Sequence, residues 1–376
     1  MIINACADDL CLDFHGIVTV RAAGSTPDVR KALKRAYAPF LREPLQCAES
    51  IRIRPFVSQE LPPSAFAIPK AQDHFFAITH GSDALVVFPR YGRPDVVIRL
   101  SDPMEILHAN RPGCASRVLD ALYMTIQLAL LPRGGTLFKG AATLRDGQCA
   151  VLTGVSGAGK TSLLLGLLRD GWDYLSDNTF ILHDGVAHLF RSYAVYNIHH
   201  LTHMPWVFEH AAAQAVNVPL RRLRSLLHGL LLRCMPPAIT RSHKVRRVTD
   251  PYLTAEPHQL FPDCKIHQRA RPSLWVILSH ADHYAFRPLD REEAIVRMEA
   301  IQALTHPDRE ALTHQLGLLG RRREAGCAPV LPANLTGEFR LAELPRNVPI
   351  RELHARIGND IATVLHAHPA PEATTP

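Results

Sequence analysis

The sequence has no apolar run approaching the roughly 20 residues that cross a bilayer. The longest such stretches, "VLDALYMTIQLALL" (118–131) and "LLHGLLL" (226–232), are too short, so no membrane association is expected. The start, "MIINACADDL", has no basic residues leading into an apolar run, which leaves no sign of a secretory signal and makes a cytoplasmic location the default expectation. The eight cysteines, at 6, 11, 47, 114, 149, 234, 264 and 327, contain no C-x-x-C pair. That argues against a zinc knuckle and a thioredoxin-type site, and leaves reduced, mostly buried thiols as the expectation. No internal repeat is present. The net charge of +7 favours an anionic partner, which nucleotide phosphates or an acidic peptide satisfy. No aromatic platform or recognition-helix pattern accompanies that charge, so nucleic acid is not an expected partner.

What is present suits a two-domain α/β protein: 376 residues with 47% hydrophobic content. Residues 1–112 predict a strand-rich α+β domain. Within it "IRIRPF" (51–56) alternates, and 84–100 reads as a hairpin around Gly92. A helix over "VLDALYMTIQLALL" marks the boundary. Residues 113–365 predict the second domain, and 366–376 a disordered tail. The second domain opens with strands at 136–144 and 149–154 joined by a tight turn at Asp146-Gly147. A helix at 161–171, a strand at 172–183 and a later core strand at 273–280 follow.

Between the 149–154 strand and the next helix, Gly154-Val155-Ser156-Gly157-Ala158-Gly159-Lys160-Thr161 fits G-x-x-x-x-G-K-[ST]. Its glycines permit the angles that turn successive backbone N–H groups inward, and the helix dipole points its positive end at the anion. Lys160 is then the residue for the β- and γ-phosphates and Thr161 for magnesium, with Ser162 completing the candidate nucleotide-binding set. A turn with no ligand is the bland alternative.

Asp177 follows Lys160 closely, at the end of the next strand. The run "LFKGAATLRDGQCAVLTGVSGAGKTSLLLGLLRDGWDYLSDNTFIL" (137–182) resembles the core of the HPr kinase/phosphorylase-like proteins, whose fold is shared with ATP-dependent phosphoenolpyruvate carboxykinase. The resemblance covers about residues 115 to 190. It implies a P-loop core of that type, ATP and Mg2+ as cofactors, and Asp177 as the carboxylate that holds magnesium and takes the acceptor's proton. Lys139 stands where the family usually has histidine, and Asn178 where it has a second aspartate. A lysine is suited to neutralising phosphate charge, and asparagine keeps an oxygen ligand without the negative charge, which argues against a reverse, phosphate-consuming reaction. The resemblance therefore makes Asp177, Lys160 and Lys139 the candidate catalytic residues and Thr161, Asp177 and Asn178 the candidate metal ligands. Each has a plainer reading: a capping or turn aspartate, a strand-edge lysine, a turn asparagine.

Other clusters are weaker. His199 and His203 are spaced for metal but lack a third ligand. Arg191, just past the Asp177 strand, reads as an exposed loop arginine, with a position near the phosphates as the alternative. Arg221, Arg222 and Arg224, on a helix predicted over 219–233, and "RSHKVRR" (241–247) form a candidate docking face for an acidic peptide. The expected function is an ATP-dependent kinase acting on a hydroxyl, a serine of a protein or peptide, including a ribosomally made precursor of the lasso-peptide kind. A small-molecule kinase and a nucleotide-binding regulatory pseudokinase are the alternatives. ATP against GTP, and a homo-oligomer against a monomer, stay open.

Overall fold

The computed structural model describes residues 9–43, 49–67, 75–90, 92–191, 194–197, 204, 252–305, 311–312, 314–316, 331, 335–345, 348 and 350–367. It is a mixed α/β protein with several sheets. The chain divides into two compact units: Met1–Phe138, Ile181–Phe190 and Glu299–Leu335 form the first, and Lys139–Phe180, Arg191–Met298 and Thr336–Pro376 the second. The helix that the sequence sets at the boundary lies in the first. His199, His203, Arg221, Arg222, Arg224, 241–247 and the tail beyond 367 are outside the described residues. Among those described, no helix is long and apolar enough to cross a membrane.

The first unit is built on an eight-stranded sheet. Its strands are β1 (Leu10–Phe14), β2 (Val18–Ala22), β3 (Leu41–Arg42), β4 (Ile51–Pro55), β5 (Phe76–His80), β6 (Asp83–Arg90), β7 (Arg93–Leu100) and β8 (Met104–His108). They lie in the order β3-β1-β2-β4-β8-β7-β6-β5. Period-two alternation sets the register. Ala22, Ile53, Ile106, Ile98 and Val86 pair across five strands as a fully buried row. One residue along, Arg21, Arg52, Glu105 and Arg99 pair as a charged row, tied by ion pairs such as Arg99–Glu105 at 2.8 Å. Helices α1 (Pro27–Ala36) and α2 (Ala115–Leu130) pack on each other, and α2 on the sheet. The strand predicted over 136–144 is two: β9 (Thr136–Phe138) ends in this unit, and the chain turns at Lys139-Gly140. Phe190, which returns to this unit, is fully buried, its ring against Phe14, Tyr37 and Tyr123.

One expectation about cysteine is corrected. Cys11 is disulfide-bonded, whereas Cys114, Cys149 and Cys264 are free thiols.

The second unit holds a six-stranded sheet made of β10 (Ala141–Arg145), β11 (Gln148–Gly154), β12 (Asp173–Ser176), β13 (Pro272–Ala281), β14 (Ala285–Pro288) and β15 (Glu338–Pro345), in the order β12-β10-β11-β13-β15-β14. Asp146 and Gly147, both at positive φ, make the tight β10–β11 turn that their sequence predicts. β11 runs parallel to β13, and β13 parallel to β15. Every residue of β11 is buried, with residues 149–152 as an apolar run in a central strand. The helix α3 (Lys160–Arg169) crosses α4 (Ile350–Ala367) at close range. A Cβ on Gly166 would lie 3.0 Å from the Cβ and ring of His354.

Candidate functional site

The site lies within the second unit and starts where β11 ends. A Cβ on Gly154 would sit 2.7 Å from the carbonyl oxygen of Leu278 on the neighbouring strand, so the chain leaves the sheet here only with glycine. Val155, Ser156 and Gly157 are exposed, and Ala158 turns back into the core with its N–H donating to the Val155 carbonyl. Gly157 and Gly159 have φ of 85° and 91°, and Gly159 is the N-cap of α3. No side chain caps that helix and no acidic residue stands in its first turn, so its N-terminal end is electrostatically open to an anion. Lys160 arches over the loop and donates to the carbonyls of Gly154 (2.6 Å) and Val155 (2.9 Å). Burial holds its pKa below the usual lysine value, and Asp177 partly offsets that. Ser162 is buried one residue further into α3.

The strand predicted over 172–183 breaks at Asp177–Thr179. Asn178 takes a φ of 68°, and the Thr179 N–H closes onto the Asp177 carbonyl at 2.8 Å. Such a tight γ-turn is costly for most residues, and asparagine is among those that tolerate it. The turn is fastened from both sides. The Ser176 hydroxyl donates to the Thr179 carbonyl (2.6 Å), and the Asp177 N–H donates to the Tyr174 hydroxyl (2.9 Å). This aims the Asp177 carboxylate, only 2% exposed, at the loop, where the Thr161 hydroxyl donates to it at 3.1 Å.

Lys139 comes to the same place from the start of β10. Its carbonyl accepts from Thr153 (3.1 Å), which fixes the backbone, and its ammonium donates to Oδ1 of Asn178 (3.1 Å). Burial, with Arg191 and Lys160 nearby, pushes its pKa down to about 8, against an opposing pull from Asp177. The loop, Lys139, Lys160, Thr161, Asp177 and Asn178 are thus brought together, but in two pairs: Thr161 with Asp177, and Lys139 with Asn178.

Two further residues contribute. Arg191 is half-buried and joins the cationic group around Lys139, as the less favoured reading of its sequence position has it, and not at an exposed loop position. Tyr174, fully buried, offers its hydroxyl to both the Asp177 N–H and the Arg191 carbonyl (3.4 Å). A tyrosine inside a strand carries no signal of that kind. Among the described residues no group of three or more His, Cys, Asp or Glu could hold a metal. The donors that fit a magnesium ion are the Thr161 hydroxyl and the Asp177 carboxylate, oxygens already 3.1 Å apart. No family model matches the chain, and no curated protein does either.

Proposed function

We propose that this protein is an ATP- and magnesium-dependent kinase of the HPr kinase/phosphorylase type, transferring phosphate to a hydroxyl of a protein or peptide. The observation that carries the reading is the Thr161–Asp177 contact. It sets a buried carboxylate against the hydroxyl that closes a glycine-rich loop, at the open N-terminus of a helix. The loop amides and Lys160 bind the polyphosphate. Magnesium, held by Thr161 and Asp177, supplies charge neutralisation and orientation of the phosphates. The second carboxylate oxygen of Asp177 orients an acceptor hydroxyl and receives its proton. Lys139 and Arg191 add positive charge beside Lys160. A serine acceptor in a ribosomally made precursor peptide is the substrate class that the sequence resemblance favours.

Two variants test this. Lys160→Ala should lose most of its ATP affinity while keeping its fold. Asp177→Asn should keep ATP affinity and lose transfer to peptide acceptors by more than about a hundredfold, a barrier increase of about 2.7 kcal/mol. Transfer within about tenfold of the parent in Asp177→Asn would refute the assignment. ATP binding without transfer in the parent itself, to peptide or small-molecule acceptors, would point to a regulatory nucleotide-binding protein.

A further inference from the structure

The strand that leads to Asp177 is gripped from outside its own sheet. β12 is the outermost of the six strands, and residues 265–267 run parallel to it on its open side. The Tyr174 N–H donates to the Lys265 carbonyl (2.9 Å), and the His267 N–H donates to the Tyr174 carbonyl (2.8 Å). Beside them the Asp173 carboxylate accepts from the Lys265 N–H (3.1 Å) on one oxygen and from His267 Nε2 (2.9 Å) on the other. Both main-chain groups of Tyr174 are therefore fixed by this segment, and its side chain is fully buried. At the far end of the ring the hydroxyl uses both its roles, accepting from the Asp177 N–H (2.9 Å) and donating to the Arg191 carbonyl (3.4 Å).

The bond to Asp177 differs in kind from the other one that fastens the turn. The Ser176 hydroxyl ties down the Thr179 carbonyl, beyond the carboxylate. The Tyr174 hydroxyl holds the peptide of Asp177 itself, and so sets the direction in which the carboxylate leaves the chain. Direction matters at a reacting group, where a displacement of about 1 Å can cost about a hundredfold in rate. We propose that Tyr174 is the positioning residue for Asp177, and that residues 265–267 hold Tyr174 to that task. The inference rests on the kinase reading above and deepens it. Tyr174 acts through Asp177, and a segment far along the chain thereby fixes where the carboxylate stands.

The test removes one hydroxyl. Tyr174→Phe keeps the buried ring and leaves the Asp177 N–H without that acceptor. In the full-length protein kcat for phosphoryl transfer should fall about tenfold, with KM for ATP unchanged. A crystal structure of the ligand-free variant should show the carboxylate turned away from the Thr161 hydroxyl. In an Asp177→Asn background the same change should cost none of the residual transfer, because the residue it acts through is already altered. A purely structural tyrosine would lower stability and leave kcat and the Thr161–Asp177 contact as they are. A parent-like kcat, a carboxylate still bonded to Thr161, or additive losses in the double variant would each overturn the proposal. Should Tyr174→Phe fail to fold, His267→Ala loosens the segment from its half-exposed side. That variant should lose about threefold in kcat at constant KM, and a parent-like kcat there would overturn the proposal too. The Thr161–Asp177 contact is read without any acceptor, so a parent that transfers no phosphate overturns the kinase reading alone.

Discussion

At Lys139, burial and two neighbouring cations oppose the charged form, and Asp177 favours it. The sign of the pH effect follows. The pKa in the folded chain, about 8, lies below the ordinary 10.5, so between those values the unfolded chain holds more protons. Stability attributable to this residue is therefore fully present above about pH 10.5 and is lost as pH falls through 8. Other groups titrate in that window, so the comparison is with Lys139→Met. Relative to that variant the parent should gain about 2 kcal/mol between pH 7.5 and 10.5 in urea unfolding, a figure discounted for partial exposure. A flat difference would mean that the lysine is not held among the cations as described.

Among the elements, the crossing of α3 and α4 sets two effects against each other at Gly166. Alanine is the better helix former by about 1 kcal/mol. Its Cβ, however, would meet the Cβ, Cγ and Cδ2 of His354 at 3.0 Å, and overpacking of that kind typically costs about 1–3 kcal/mol. Packing should win, with Gly166→Ala destabilising by about 1 kcal/mol in thermal or urea unfolding. In a His354→Ala background the same change should turn stabilising. Equal effects in both backgrounds would show that the crossing is looser than described. Elements whose causes are local were legible in the sequence: the Asp146-Gly147 hairpin turn, the strand ending at Gly154, the glycine loop and the helix behind it. Asp177 could be named because it ends the strand that follows the glycine loop, whereas only the family resemblance recommended Lys139. The breaks at Lys139-Gly140 and at Asp177–Thr179 were not legible, because they depend on which sheet each half joins. Nor was the role of Tyr174, whose position comes from hydrogen bonds between segments and leaves no trace in residue spacing.

For the whole molecule, the division into units does not follow a single cut in the chain. The first unit is completed by Ile181–Phe190, whose Phe190 fills the space between Phe14, Tyr37 and Tyr123, while His15 bonds to the Leu189 carbonyl at 2.7 Å. A fragment ending at residue 138 lacks a buried aromatic side chain of the kind whose loss costs about 3–5 kcal/mol. It should show a broadened or absent thermal transition by circular dichroism, whereas Phe190→Leu in the full chain should melt cooperatively at a lower temperature. A sharp, parent-like transition in the fragment would show that the returning segment is dispensable. The same interleaving governs how the glycine-rich loop comes into being. β11 emerges from the ribosome early, yet the strand it lies parallel to begins at Pro272, and that strand's own parallel partner at Glu338. Until those segments are made, one long edge of a strand that is wholly buried in the finished fold has nothing to pair with. The glycine-rich loop is thus translated near the middle of the chain but fixed close to its end, and the interval is when the nascent protein is most exposed to misassembly. Slower translation between Gly154 and Pro272 would lengthen that interval, so yield in a host depleted of nascent-chain chaperones should fall with rare codons placed there and not with the same codons placed after Pro345.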